Sequence, residues 1–213
     1  MMATLDDTPR RIGPSGESIV LASASATRRR LLEGAGVPFT VEPARVDEAE
    51  LKIGLRAEGA SGIEIAEVLA EAKAAYVARR HPDALVLGAD QVLDCDGTIY
   101  DKPVDRADAL RQLRALRGRR HELISQAVIV RGGRRIWQAA DRARLRMRDA
   151  SDEFLEAYLD AAGDDALNGP GGYRVESIGV QLFSEIDGSH YTILGLPMLA
   201  LLDYLRAHRI VMA

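Results

Sequence analysis

A short apolar run that leads directly into a helix signal is the feature that most constrains the fold of this chain. Residues 18–22, Ser-Ile-Val-Leu-Ala, are rich in β-branched side chains, and the run predicts a buried strand. It passes at once into a helical segment with Ser25 as its N-cap and Gly34 or Gly36 as its end. A strand followed immediately by a helix is a unit of α/β folds.

Strand and helix signals alternate along the rest of the chain, which predicts an α/β fold with antiparallel hairpins. We predict further strands over 37–41, 85–89, 92–93, 98–100, 123–130, 135–147 and 180–183, with turns at 94–97, 132–133 and 169–172. We predict further helices over 61–79, 105–116, 151–162 and 198–207, and a loop with some helix over 44–60.

Length and hydropathy exclude an integral membrane protein. The chain has 213 residues, enough for one sizeable core, and contains no apolar run near the roughly 18 to 20 residues that span a bilayer. The polar, charged residues 1–17 are expected to form a flexible N-terminal tail without the apolar segment of a signal peptide. Residues 18–213 are expected to form a single domain.

Charge and cysteine content restrict the ligand and the compartment. The lone Cys95 excludes an internal disulfide and a cysteine-based zinc site, and we expect a reduced thiol in a cytoplasmic protein. The net charge is −4, so no global positive field would attract nucleic acid. A polyanionic ligand must be held by a local cluster of basic groups, which favours a small phosphorylated molecule.

A candidate phosphate site lies where the first strand meets the first helix. The Ser23 and Ser25 hydroxyls and the Arg28 guanidinium stand at a helix N-terminus, where backbone amides and the helix dipole attract anions. The alternative is a capped surface helix whose first turn is basic.

Three further charged residues could serve the same site. Lys73 falls on the apolar stripe of a helix, so it either extends to solvent or meets an anion. Asp90 is expected to end a buried strand, where it could bind Mg²⁺, orient a water or merely open a turn. Lys102 follows the predicted hairpin and either points to the same cleft or is a surface lysine.

Two other patterns suggest alternative functions. Asp94-Cys95-Asp96-Gly97-Thr98, with Asp164-Asp165, resembles the aspartate motifs of haloacid-dehalogenase-like phosphatases, although a hairpin turn explains Asp96-Gly97 more simply. Four arginines at every second position place their guanidinium groups on one strand face. A solvated face paired with acids is favoured over nucleic-acid binding for these four residues: Arg142, Arg144, Arg146 and Arg148.

The order of these motifs resembles the Maf family of nucleoside triphosphate pyrophosphatases, from about Ile19 to Arg206. The matching stretches are residues 21–25 (Leu-Ala-Ser-Ala-Ser) with Arg28 and Leu31-Leu32, 46–48 (Val-Asp-Glu), 70–74 (Ala-Glu-Ala-Lys-Ala), 88–92 (Gly-Ala-Asp-Gln-Val), Lys102-Pro103, Gly172-Tyr173, Gly188-Ser189 and 194–197 (Leu-Gly-Leu-Pro).

The resemblance implies an elongated mixed sheet flanked by helices, with two lobes around a central cleft as in inosine triphosphatases, and frequent homodimers. It implies hydrolysis between the α- and β-phosphates, with a divalent cation, Mg²⁺ or Mn²⁺, as cofactor. Residues carried over as phosphate ligands are Ser23, Ser25, Arg28, Lys73 and Lys102, the two lysines also being assigned to catalysis. Glu48 and Asp90 would bind the metal, and Asp90 would also accept the proton of the attacking water.

Two positions bear on the choice of base. Gln91 and Glu176 resemble the family branch that hydrolyses 7-methyl-GTP rather than the dTTP/UTP branch, and a carboxylate can accept hydrogen bonds from a guanine edge. Ala26, Thr27, Ser125 and Ser177 depart from the family pattern, and Thr27 lacks the aromatic surface expected for a methylated purine. A dTTP/UTP pyrophosphatase is therefore the alternative for the substrate. For the reaction, the alternatives are a haloacid-dehalogenase-like phosphatase that uses Asp94 and Asp96 and a non-catalytic nucleotide-binding regulator.

Overall fold

The computed structural model describes residues 18–212, and within them one seven-stranded sheet is flanked by helices. The predicted tail, residues 1–17, lies outside the described residues. The strands are β1 Ile19–Leu21, β2 Phe39–Val41, β3 Leu85–Cys95, β4 Thr98–Tyr100, β5 Arg120–Arg131, β6 Arg134–Met147 and β7 Phe183–Asp187. The helices are α1 Ala26–Gly34, α2 Glu48–Ala57, α3 Gly62–Ala78, α4 Arg106–Leu116, α5 Asp152–Ala162, α6 His190–Ile193 and α7 Met198–Ala207.

The sheet is mixed, with the order β2-β1-β3-β5-β6-β7 and β4 paired to β3. Strand β1 is parallel to β2 and β3, whereas the pairs β3–β5, β5–β6, β6–β7 and β3–β4 are antiparallel. The predicted α/β class, with a mixed sheet and flanking helices, is confirmed. No helix within residues 18–212 combines the length and the apolar character that a membrane span needs.

Several local predictions are confirmed because the signals that carry them are local. The Ser25 side chain caps α1, and α7 has the bounds that its pattern predicted. The β3–β4 hairpin turns at Asp96 and Gly97, both with positive φ, and the β5–β6 hairpin turns at Gly132 and Gly133. Such turns match the twist of the strands that they join.

The prediction that Asp90 ends a strand is wrong. Strand β3 continues through Asp90 to Cys95 because β5 pairs with it along almost its whole length. On the opposite edge of β3, the pairing with β1 extends only as far as Leu87, and the pairing with β4 begins only at Leu93. Residues 88–92 therefore face a notch in the sheet, and Asp90 lies in the middle of that notch.

Three other segments differ from the sequence expectation. Residues 44–60 contain a regular ten-residue helix, α2, which Asp47 caps. The strand expected near 180–183 begins only at Phe183, since short 3₁₀ turns occupy residues 163–182. The short helix α6 was not predicted, and it packs on β5 and β6 beside the notch.

Helix α3 packs unusually close to β3, and Gly88 makes this possible. A β-carbon at Gly88 would lie 2.1 Å from the Ala70 carbonyl oxygen and 2.8 Å from the Ala74 amide nitrogen. The neighbouring α3 residues on that face are small alanines, which lets the two backbones approach each other. This contact fixes Lys73, one turn along α3, directly opposite Asp90.

Candidate active site

One cavity of about 890 Å³ opens at the notch in the sheet. Every residue that the sequence assigned to the site lines this cavity, although these residues come from six separate segments of the chain. They are Ser23, Ser25, Arg28, Glu48, Lys73, Asp90, Gln91, Lys102 and Glu176.

The turn between β1 and α1 presents two hydroxyls and one guanidinium. Ser25 Oγ accepts a hydrogen bond from the Arg28 amide at 3.3 Å, and Ser23 Oγ accepts from the Ser25 amide at 3.2 Å. The Arg28 side chain donates from Nε to the Gly195 carbonyl at 2.9 Å and from Nη1 to Ser23 Oγ at 3.3 Å. Both hydroxyls act as acceptors in these contacts and keep a proton to donate to a phosphate oxygen.

Lys73 does not extend to solvent but meets two carboxylates. Its Nζ lies 2.6 Å from Asp90 Oδ1 and 2.9 Å from Glu48 Oε2. The Lys73 and Asp90 side chains are only 10% and 7% exposed, whereas that of Glu48 is 44% exposed. The charge pair is therefore buried at the floor of the cavity, with Glu48 at its open side.

The carboxylates of Asp90 and Glu48 fit a divalent cation. Asp90 Oδ2 is buried and has no hydrogen-bond partner, which is costly unless a ligand completes it. Within residues 18–212 no group of three or more His, Cys, Asp or Glu side chains could enclose a metal. Two carboxylates with room for phosphate oxygens and water match the preference of Mg²⁺ better than that of a structural metal.

The field in the cavity is set by several cations close together. Loss of hydration lowers the pKa of Lys102, and the charges of Arg28 and Lys73 lower it further, while Glu48 and Asp90 oppose the shift. Burial likewise lowers the pKa of the Arg28 guanidinium, against the opposing effect of Asp90 and Glu48. These mutually repelling cations favour a bound polyanion.

Gln91 holds the wall of the cavity through its amide nitrogen. Its Nε2 donates to the Thr192 carbonyl at 2.8 Å and to the Ile193 carbonyl at 2.9 Å, both in α6. Ser125 Oγ donates to the same Thr192 carbonyl at 2.7 Å. The side chain of Gln91 can therefore offer only its carbonyl oxygen to a base, and Ser125, which departs from the family pattern, is part of the support of α6.

Glu176 is not a free carboxylate. Arg174 donates to its Oε1 from Nε at 2.9 Å and from Nη2 at 2.6 Å, and Nη1 of the same arginine contacts Asp165. Glu176 Oε2 takes no part in these contacts with Arg174. Thr27 also lines the cavity, so the position that lacks an aromatic side chain borders the same space.

The sequence analysis missed four charged residues of the cavity: Lys52, Arg56, Asp101 and Arg174. Lys52 and Arg56 donate to opposite oxygens of the Asp101 carboxylate, at 2.8 and 2.9 Å. A signal existed, because residues 48, 52 and 56 follow the four-residue spacing of one helix face. The helix face was not recognised because residues 44–60 were predicted to be largely a loop.

The alternative sites do not form in the fold. Asp94 Oδ1 accepts a hydrogen bond from the Gly97 amide in the hairpin turn, and Asp96 pairs with Arg119. Neither aspartate lines the cavity, which leaves no place for an aspartyl-phosphate site there. On the arginine face, Arg142 and Arg144 pair with Glu122, as expected for a solvated sheet face.

Comparison with known proteins shows which family the chain resembles over almost its whole length. A family model described as Maf-like protein matches residues 18–208. A protein of Paramagnetospirillum magneticum named nucleoside triphosphate pyrophosphatase is 51% identical over 88% of this chain and 96% of its own length. Proteins of the same name from Ruegeria sp. and Rhodopseudomonas palustris are 50% and 48% identical, covering 88% and 93% of this chain and 94% and 96% of their own lengths.

Proposed function

The chain belongs to the Maf family, and from this premise we propose that it hydrolyses a nucleoside triphosphate to a monophosphate and pyrophosphate. The observation that carries the proposal is that Ser23, Ser25, Arg28, Lys73 and Lys102 line one cavity together with Asp90. The chain is also similar to three proteins named nucleoside triphosphate pyrophosphatase over nearly their whole length, and this similarity supports the same reaction.

The residues of the cavity suit in-line displacement at the α-phosphorus. Water attacks that phosphorus, the bond to the α,β-bridging oxygen breaks, and pyrophosphate leaves. Asp90 Oδ2 is the unpaired acceptor for the proton of the attacking water. Arg28 and Lys102, with the serine hydroxyls, hold the phosphates and neutralise the charge that develops as pyrophosphate leaves.

Glu48 and Asp90 are the residues that would hold a divalent cation. When bound, Mg²⁺ or Mn²⁺ supplies Lewis-acid stabilisation of the phosphate charge. Lys73 orients both carboxylates, since it contacts Glu48 Oε2 and Asp90 Oδ1 at the same time.

A panel of nucleoside triphosphates with Mg²⁺ or Mn²⁺, assayed for pyrophosphate, tests the reaction. Asp90→Asn should lower kcat by about 10²-fold or more, because a positioned base contributes on that order. Asp94→Asn is the matched control, since Asp94 lies near the end of β3, accepts a hydrogen bond from the Gly97 amide of the hairpin turn and does not line the cavity. Release of orthophosphate alone, or tight triphosphate binding without turnover in any metal, would contradict the proposal.

For the base, we propose 7-methyl-GTP or a related modified purine nucleotide. Glu176 lines the cavity, and its Oε2, which accepts neither of the two hydrogen bonds from Arg174, can accept one from a guanine edge. Glu176→Gln should reduce kcat/KM for 7-methyl-GTP relative to dTTP and UTP by about 10-fold or more. Glu185→Gln, in exposed strand β7, should leave the ratio unchanged.

Faster hydrolysis of dTTP and UTP by the unmodified chain would overturn the base assignment without affecting the proposed reaction.

We further propose that the enzyme acts in the cytoplasm, in keeping with a single reduced thiol at Cys95, and as a homodimer, as the family resemblance implies. Light scattering of the purified chain measures the second of these directly.

A further inference from the structure

The Lys52–Arg56–Asp101 cluster lies at the mouth of the cavity and has no role in the proposed reaction. Lys52 Nζ contacts Asp101 Oδ1 at 2.8 Å, and Arg56 Nη2 contacts Asp101 Oδ2 at 2.9 Å. One carboxylate therefore binds two positively charged side chains that lie one turn apart on α2. Burial raises the pKa of Asp101, but the hydrogen bonds from Lys52 and Arg56 outweigh it and leave the pKa below its usual value.

Helix α2 has few apolar contacts that would hold it in place. None of its residues is fully buried, and only Leu51 and Leu55 pack partly against the apolar cluster beneath α3. With so little apolar anchoring, polar contacts help to decide how α2 is rotated and how far it extends into the cavity.

Both chain segments that meet in the cluster carry residues of the active site. Glu48 is the first residue of α2, on the same helix face as Lys52 and Arg56. Lys102 directly follows Asp101 in the chain. The cluster thus joins the segment that delivers one metal-binding carboxylate to the segment that delivers a phosphate-binding ammonium group.

We propose that Asp101 is a positioning residue, which through Lys52 and Arg56 fixes α2 so that Glu48 stands beside Asp90 as a second carboxylate for the divalent cation. This inference rests on the proposed function only for the identity of the cation site. In this proposal Asp101 is not a ligand of the cation, and it acts through the orientation of the helix. Residues that orient metal ligands typically change metal affinity or activity by 10- to 100-fold when they are replaced.

Binding of Mn²⁺ alone, measured by electron paramagnetic resonance without nucleotide, tests the proposal. Asp101→Asn should weaken Mn²⁺ binding by about 10-fold, and a higher Mn²⁺ concentration should restore most of kcat. Asp96→Asn is the matched control, because it breaks another exposed aspartate–arginine pair in the neighbouring hairpin turn. Its Mn²⁺ affinity should equal that of the unmodified chain.

A second set of variants tests whether Asp101 acts through the side chains of Lys52 and Arg56. The double variant Lys52→Met/Arg56→Met should match Asp101→Asn, and the triple variant should lose no further affinity, because the three side chains form one unit. Unchanged Mn²⁺ affinity in Asp101→Asn, additive losses, or no Mn²⁺ site in the unmodified chain would each overturn the proposal. If the unmodified chain still produces pyrophosphate in those cases, the proposed function stands.

Discussion

Replacement of Lys73 by methionine tests the central electrostatic feature of the molecule. Methionine has nearly the shape of lysine without the ammonium group, so packing between α3 and β3 is preserved. The change leaves Asp90 buried with neither oxygen paired, because Lys73 is the side chain that contacts Oδ1 and Oδ2 has no partner. Glu48 suffers less, since its side chain is 44% exposed and water can replace the lost contact.

The size of the effect follows from the burial of the pair. Removing one partner of a buried ion pair costs about 3–5 kcal/mol, because an uncompensated charge remains. For a chain of this length each kcal/mol lowers the melting temperature by about 2–4 °C, which gives a decrease of roughly 10 °C. An exposed ion pair would contribute only about 0–1 kcal/mol.

Urea unfolding without metal or nucleotide measures this loss. The double variant Lys73→Met/Asp90→Leu should recover much of the lost free energy, because replacing both charges with apolar groups removes the unpaired carboxylate. A loss below about 1 kcal/mol for Lys73→Met, or no recovery in the double variant, would refute the claim that the pair is buried and mutually dependent.

Three further predictions concern pH and the shape of the site. Burial lowers the pKa of His121 to about 4 in the folded chain. The neutral ring's contribution to the free energy of unfolding is therefore complete above about pH 6.5 and is lost as the pH falls toward 4. The free energy of unfolding, measured with urea, should decrease by about 3 kcal/mol over that window, and it should decrease less in His121→Gln. Because desolvation and then Arg28 lower the pKa of Lys102, Lys102→Arg should move the alkaline limb of kcat/KM to higher pH. In Gly195→Ala the new methyl group would lie 3.2 Å from Arg28 Nε at a φ of +100°, and KM for the triphosphate should rise about 10-fold.

Each of these predictions has a control or a contradicting result. Gly133→Ala also places alanine at a position with positive φ, but in a hairpin turn where nothing lies within 4 Å of the new methyl group. It should leave KM unchanged. Equal pH dependence of stability in the unmodified chain and His121→Gln would mean that His121 is not the titrating group. An alkaline limb that does not move in Lys102→Arg would assign that ionisation to another residue.

The sequence by itself determined the elements whose signals lie within a few residues. The strand that leads into α1, the Ser25 cap, the turn at Asp96-Gly97 and helix α7 all follow from local backbone preferences and apolar spacing. The order of the motifs also indicated the family, because it depends on residue identity along the chain and not on contacts.

Only the tertiary structure decided how the charged groups are partnered. Arg28 and Gly195 are separated by 167 positions in the chain, and Lys52 and Asp101 by 49, so no local pattern relates them. The continuation of β3 past Asp90 likewise depends on pairing with β5. Whether a charged side chain extends to solvent or pairs in a cavity is decided by desolvation and by the charges around it, and these arise only when distant segments pack together.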